Sequence, residues 1–161
     1  IYTLIAINIH RIVILGDQSV PHWGIYTPTT REFSFFFHFI LLSFWVIPFV
    51  VVFSKISFLF LPIGIIIYGY IVSRISLAFP AIAIDSGWTF KDSWKATKNH
   101  QILMIVSVVV IPISLKYILH YLLIPININF INFLINLFLT IILISILSET
   151  YKYIAKTENY G

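Results

Sequence analysis

Long apolar stretches, separated by short polar segments, fill most of this 161-residue chain and limit what it can fold into. Hydrophobic residues make up 60% of the sequence and charged residues only 10%, and the charges lie mostly between the apolar runs. A helix of about 20 apolar residues crosses the hydrocarbon core of a bilayer. The sequence therefore predicts an all-α, polytopic transmembrane helix bundle that forms a single integral membrane domain over residues 1–161.

Five apolar segments are predicted to span the membrane, at residues 1–15, 33–53, 58–73, 102–124 and 130–147. The first is interrupted by polar residues and is interpreted as the end of a span that begins further upstream. Apolar sequence resumes over residues 75–84, beyond Arg74. The connecting segments are predicted to be loops, turns or a polar tail, at residues 16–32, 55–57, 125–129 and 148–161.

Residues 88–100 differ from the rest of the chain because they combine lysines with tryptophans. Thr89, with Asp92 three positions later, is a weaker variant of the capping box that begins many helices. The lysines recur at i, i+4 and i+7, beside a face of apolar and aromatic residues. This pattern predicts one amphipathic helix in the headgroup plane. The residues predicted to contact lipid headgroups are Trp88, Lys91, Trp94, Lys95 and Lys98.

The basic residues are distributed unequally between the two predicted sides of the membrane. Because short loops make neighbouring spans antiparallel, one side receives eight basic residues: Arg11, Arg31, Arg74, Lys91, Lys95, Lys98, Lys152 and Lys156. The other side receives only Lys55 and Lys116. Cytoplasmic loops carry the excess of Lys and Arg. The sequence therefore predicts a multi-pass protein of the bacterial inner (plasma) membrane with a cytoplasmic C-terminus.

Two stretches carry a resemblance to a known group of proteins: RISLAFPAIAIDSGWTFKDSWKATKNH at residues 74–100, and HRIVILGD at residues 10–17. They resemble segments of bacterial multi-pass inner-membrane proteins of unknown function, which are related to the membrane domain of glycerophosphodiester phosphodiesterases. The two stretches cover about a fifth of the chain. The resemblance implies an all-helical membrane bundle, of six spans when complete, and it implies no catalytic residues.

Four charged residues form a candidate polar cluster on the predicted cytoplasmic side: Arg11, Arg74, Asp85 and Glu149. Arg11, Arg74 and Glu149 each end an apolar segment, so Glu149 is expected to neutralise one of the two arginines. Asp85 either pairs with Arg74 or caps the helix that follows it. Arg74 itself has two interpretations. In the first, Arg74 marks the membrane boundary and residues 78–84 pack back against the bundle. In the second, Arg74 is buried and binds an anionic headgroup or substrate. The first interpretation is favoured.

No reaction motif is present in the sequence. The five histidines lack metal-binding spacing, and there is no phosphate-binding loop or serine nucleophile motif. We therefore expect no catalytic, cofactor-binding or metal site, and no nucleic-acid partner. The favoured function is a non-catalytic accessory, scaffold or assembly component that contacts membrane lipids and other membrane subunits. The alternative is a transporter or lipid-handling protein with a cavity near Arg74, and an embedded hydrolase ranks third.

Overall fold

The computed structural model describes residues 2–21, 27–56, 61–123 and 129–158, and every regular element within these ranges is helical. The all-α prediction is confirmed for this part of the chain. The elements, in chain order, are α1 (Tyr2–Leu15), a 3₁₀ turn (Asp17–Ser19), α2 (Thr30–Ile56), α3 (Leu61–Ile75), α4 (Ala78–Ala83), α5 (Phe90–Ala96), α6 (Gln101–Ile105), a π-helical segment (Val106–Val110), α7 (Ile111–Leu123) and α8 (Asn129–Glu158).

Three helical stretches of the described chain are long and apolar enough to cross a membrane: Pro62–Ala83, Gln101–Tyr121 and Phe130–Thr157. They correspond to the third, fourth and fifth predicted spans. Helix α1 is apolar but shorter than a crossing, and α2 contains the predicted span at residues 33–53. Crossings by α1 and α2 remain predictions. The predicted turn at residues 125–129 lies outside the described residues, apart from Asn129.

Helix α8 is longer than the sequence indicated. The polar tail predicted from residue 148 is helical as far as residue 158, because α8 continues to Glu158. Ser148, Tyr151 and Ile154 are buried and lie three residues apart, on one face of the helix. The segment is polar in composition, but this face packs against the bundle and keeps the helix intact beyond the apolar span.

Helix α4 is a short, separate helix because of Pro80. The ring of a proline inside a helix clashes with the carbonyl four residues earlier, which here belongs to Ser76. Ser76 and Leu77 accordingly form a turn between α3 and α4. Pro80 then lies in the first turn of α4, where a missing N–H leaves no helical hydrogen bond unmade.

All six residues of α4 are buried, and the helix lies between two hydrophobic clusters. Phe79 and Ile82 face the first cluster, which contains Ile7 of α1 and Phe35 of α2. Ala81, with the preceding Leu77, belongs to the second cluster, whose other buried members are Ala96, Met104, Tyr151 and Ile154. Residues 78–83 therefore pack back against the bundle, as the favoured interpretation of this segment predicted.

Helices α1 and α8 pack side by side and run in the same direction. The Nδ1 atom of His10 lies 2.7 Å from the Oγ atom of Ser148, and Lys152 Nζ donates to the carbonyl of Val13 at 3.2 Å. His10 and Ser148 are both buried, so this polar contact is shielded from solvent. The C-terminal ends of α1 and α8 consequently reach the same end of the bundle, which we call the polar end.

The fourth predicted span changes its hydrogen-bonding pattern along its length. The π-helical segment lies two residues before Pro112, whose ring removes a donor and excludes the regular bond to Val108. Gly69 of α3 faces this segment closely, since a Cβ atom at Gly69 would lie 3.4 Å from a methyl group of Val109. A glycine lets two membrane helices approach at this point.

Candidate functional site

Arg11 connects three segments at the polar end. Its Nε donates to the carbonyl of Ser19 at 3.1 Å, and its Nη1 donates to the carbonyl of Ala83 at 3.1 Å and to Asp85 Oδ2 at 3.2 Å. The rigid, planar guanidinium suits several acceptors at once. Ala83 is the last residue of α4, where helix carbonyls lack partners and the helix dipole favours a positive charge. Arg11 therefore stabilises the C-terminal end of α4.

Asp85 also forms an ion pair with a second arginine, Arg31. Arg31 Nη1 lies 3.1 Å from the same Oδ2 atom, and Arg31 Nε contacts Glu32 Oε1 at 2.8 Å. Asp85 has a positive φ of 59°, a conformation that aspartate tolerates better than most residues with a side chain. The observed cluster thus contains two arginines and two carboxylates from α1, α2 and the loop after α4.

The observed cluster agrees only in part with the predicted one. The structure brings Arg11 and Asp85 together, but it places Arg74 and Glu149 elsewhere. Glu149 Oε1 lies 3.0 Å from Lys152 Nζ, one turn along α8, and both side chains are substantially exposed. No Arg–Glu149 ion pair forms within the described chain. Asp85 does not cap the next helix either, because Thr89 is the N-cap of α5.

Arg31 and Glu32 were missed as members of the cluster, although the sequence carries a signal for Glu32. Thr29 and Glu32 have the spacing of a capping box. In the structure, the backbone N–H of Thr29 donates to Glu32 Oε2 at 2.6 Å, and the Thr29 hydroxyl donates to the same oxygen. The pattern would have placed Glu32 in the first turn of α2, next to Arg31.

Arg74 is buried, with 3% of its surface exposed. Its Nη2 donates to the carbonyl of Trp94 at 2.5 Å, and its Nη1 lies 3.4 Å from the hydroxyl of Tyr70. The guanidinium carbon stands 4.7 Å from the centre of the Trp94 ring system, a cation–π contact. Its Nε has no hydrogen-bond partner, and no carboxylate among the described side chains contacts the guanidinium. The Arg74 side chain is therefore held by two aromatic rings, the Tyr70 hydroxyl and the Trp94 carbonyl.

The backbone of Arg74 anchors α5 onto α3. The Ser93 hydroxyl donates to the Arg74 carbonyl at 2.8 Å, and the Thr97 hydroxyl donates to it at 3.2 Å. Arg74 lies in the last turn of α3, where carbonyl groups have no partner within the helix. The Arg74 side chain thus donates to the backbone of Trp94, and the Arg74 carbonyl accepts from the hydroxyls of Ser93 and Thr97.

Helix α5 begins as the sequence predicted. The capping box of Thr89 and Asp92 is present with both of its hydrogen bonds. Of the residues predicted to contact headgroups, Trp94 and the three lysines Lys91, Lys95 and Lys98 are exposed. Trp88 differs, because its ring packs edge-on against Tyr151 with 5.1 Å between the ring centres. It belongs to the margin of the second hydrophobic cluster.

An open groove lies between the turn after α5 and the C-terminal part of α8. Its volume is about 690 Å³, and Arg74 is not among the residues that form its walls. Within the described residues, no three His, Asp or Glu side chains are grouped closely enough to hold a metal ion. The polar end carries hydrogen-bonding and charged side chains. Those that the structure describes do not converge into a set of acid, base and nucleophile groups.

Fold and site together define a helical membrane protein whose charged residues hold the helix ends together. No family model, curated protein or solved structure matches the chain. The resemblance of residues 10–17 and 74–100 to bacterial inner-membrane proteins accordingly stays an expectation.

The ion pair between Arg11 and Asp85 is expected to contribute to stability, and the predicted pairing of Glu149 with Arg11 or Arg74 is not. Arg11→Ala should lower the free energy of unfolding in detergent by about 1 to 3 kcal/mol, since it removes charge-assisted hydrogen bonds at a partly buried site. A double-mutant cycle with Asp85→Asn should give a coupling of about 0.5 to 1 kcal/mol, because Asp85 is largely exposed. Cycles of Glu149→Ala with Arg11 or Arg74 variants serve as controls and should give no coupling. Equal coupling in all cycles would contradict this assignment.

The capping box of α5 predicts a pH dependence. Hydrogen bonds from the hydroxyl and the backbone N–H of Thr89 hold the pKa of Asp92 below its usual value of 3.8 against the opposing effect of desolvation, and Lys95 and Lys91 lower it further. A carboxyl with a lowered pKa stabilises the folded state above its unfolded pKa, and this stabilisation is lost as the pH falls through the folded pKa. Thr89→Ala should therefore raise the pKa of Asp92 towards 3.8, as measured by NMR titration of its carboxyl carbon. Thr140→Ala, in α8, should leave it unchanged; an unchanged pKa in Thr89→Ala would refute the capping role.

Proposed function

We propose that the protein is a non-catalytic integral membrane accessory or scaffold component, which contacts lipid on most of its surface and one other membrane subunit through α8. The observation that carries this proposal is a polar stripe on the apolar part of α8. Asn132, Asn136 and Thr140 lie four residues apart, and therefore on one face of the helix. Asn136 and Thr140 are exposed, although they lie within the stretch that is long and apolar enough to span a membrane.

Polar side chains on a lipid-facing helix are unfavourable unless they find partners. Asn136 Nδ2 donates to the carbonyl of Asn132 at 2.7 Å, and Thr140 Oγ1 donates to the carbonyl of Asn136 at 2.8 Å. These bonds satisfy donors along the helix, but the amide of Asn136 retains hydrogen-bonding capacity. Asn and Thr side chains form hydrogen bonds between membrane helices. A polar partner helix would therefore complete this face of α8.

The large uncovered area also supports a role in assembly. In the most apolar windows, only 11% of the Gln101–Tyr121 span and 6% of the Phe130–Thr157 span are buried within the chain, whereas 50% of the Pro62–Ala83 span is buried. Lipid can cover most of these surfaces, because they are apolar. The polar stripe is the part that lipid tails cannot satisfy.

The proposed location is a bacterial-type inner membrane with the polar end in the cytoplasm. Support comes from the uneven distribution of basic residues, because Arg11, Arg31 and Lys152 make their contacts at the polar end. The exposed lysines of α5 would then meet anionic headgroups, which attract each nearby lysine by about 1 kcal/mol. In this placement α5 lies in the headgroup plane.

The alternative of a transporter or lipid-handling protein with a cavity near Arg74 has less support. Helix α5 covers Arg74, and the groove described above has other residues in its walls. The burial of Arg74 without a carboxylate partner is compatible with an anionic ligand, but Trp94 and Tyr70 already occupy its surroundings. The described geometry therefore favours assembly over transport.

Photocrosslinking from α8 tests the proposal. A photoreactive phenylalanine analogue at Phe133, beside the polar stripe, should give a crosslinked protein band of defined mass in native membranes. The same analogue at Phe138 is the matched control, because Phe138 is also exposed but points to the opposite face of α8. Asn136→Leu should reduce the Phe133 band about threefold or more, since hydrogen bonds between membrane helices contribute about 0.6 to 2 kcal/mol. Identical patterns at both positions, or a Phe133 band of undiminished intensity in Asn136→Leu, would exclude the proposed contact.

A further inference from the structure

The groove at the polar end has walls from two parts of the chain. One wall is the turn after α5 and the start of α6, and the other is the C-terminal half of α8. Its volume of about 690 Å³ lies within the range of pockets that hold small molecules. The groove takes no part in the contacts of Arg11, Arg74 or Asp85, and it lies apart from the polar stripe of α8.

The groove crosses the boundary between apolar and polar sequence. On one wall, His100 and Gln101 come directly before Ile102, which is 81% exposed at the start of the Gln101–Tyr121 span. On the other wall, the apolar run of α8 ends at Leu147 and Glu149 follows. A molecule in the groove would touch apolar side chains at one end and charged side chains at the other.

Opposite charges stand on the two walls. Lys98 and Glu149 both contribute to the groove, and both are exposed. Glu149 contacts Lys152 through Oε1 at 3.0 Å, but both side chains are largely in solvent, so this pair is weak. Its carboxylate can therefore accept a second cation through Oε2.

An aromatic pair also contributes to the groove. The rings of His100 and Tyr153 stand edge to face, with 5.8 Å between their centres, and Tyr153 is 56% exposed. The face of a tyrosine ring attracts ammonium groups. The groove thus combines a site for an anion at Lys98, a site for a cation at Glu149 and Tyr153, and an apolar exit along Ile102 and Leu103.

We propose that this groove binds one zwitterionic phospholipid. The phosphate lies at Lys98, the ammonium group lies at Glu149 and Tyr153, and the acyl chains follow Ile102 and Leu103 into the membrane. The proposal rests on the membrane placement in the proposed function. An anionic phospholipid without an ammonium group fits less well, because the carboxylate of Glu149 repels it and its cation site stays empty.

Lipid titration of the intact chain in mild detergent, followed by native mass spectrometry, tests the proposal. The probes are phosphatidylethanolamine and phosphatidylglycerol with identical acyl chains, which differ in the ammonium group. The parent protein should retain one phosphatidylethanolamine molecule with about three- to tenfold higher affinity than phosphatidylglycerol, the range expected for one charged contact at a partly exposed site. Glu149→Gln should abolish this preference, and Lys98→Gln should weaken binding of both lipids.

Lys91→Gln is the matched control, because Lys91 is an exposed lysine of α5 that does not contribute to the groove. It should retain phosphatidylethanolamine with the affinity of the parent, because the attraction of Lys91 to headgroups acts on anionic lipid. Lys98 and Glu149 are exposed, so their neutral variants should melt like the parent, and a melting curve verifies this. Equal retention of both lipids by the parent, or Lys98→Gln and Glu149→Gln variants that behave like Lys91→Gln, would overturn the proposal.

The outcome is separable from that of the proposed function. Loss of lipid selectivity with a persistent Phe133 crosslink would remove the lipid site and leave the assembly role in place. Selective lipid retention without that crosslink would support the lipid site and remove the proposed partner contact.

Discussion

Pro80 interrupts a helix that would otherwise continue straight from α3, and the arrangement of the polar end depends on this break. The short helix α4 that follows is buried along its whole length, between α1 and α2 on one side and α5, α6 and α8 on the other. Small residues make this possible, because three of its six residues are alanine and let the surrounding helices approach closely.

Polar side chains from neighbouring elements satisfy the ends of these interrupted helices. Arg11 donates to the last carbonyl of α4, and the Ser86 hydroxyl donates to the carbonyl of Ala81 at 3.0 Å. Ser93 and Thr97 do the same for Arg74 at the end of α3. A buried carbonyl without a partner is costly, so each break in the helix requires such a donor. The charged residues Arg11 and Arg74 at this end consequently serve to stabilise helix ends, and they take no part in the walls of the groove.

Much of the fold was predictable because apolar length and helix caps are local signals. The three helical stretches that are long and apolar enough to cross a membrane, the capping box at Thr89 and the packing of residues 78–83 all follow from short stretches of sequence. The continuation of α8 was not predicted, because composition alone conceals that Ser148, Tyr151 and Ile154 share a face. The partners of Asp85 were not predictable, since Arg11 and Arg31 come from distant parts of the chain. Glu149 instead pairs with Lys152 at i+3 on the same helix, a local spacing that the sequence does carry. Arg31 and Arg11 meet at one carboxylate oxygen of Asp85, in the loop after α4, and no spacing rule indicates this meeting.

We propose that the chain forms a membrane bundle in which α4 is buried and the polar end faces the cytoplasm. The sequence has no cysteine, so single-cysteine variants can be labelled without background. The most direct test is labelling of intact and permeabilised cells with a membrane-impermeant maleimide. We expect Tyr121→Cys, at the far end of the fourth span, to react from outside in intact cells, Lys156→Cys to react only after permeabilisation, and Ala81→Cys to stay protected in both. Reaction of Lys156→Cys in intact cells, or of Ala81→Cys as fast as Lys156→Cys after permeabilisation, would contradict the account.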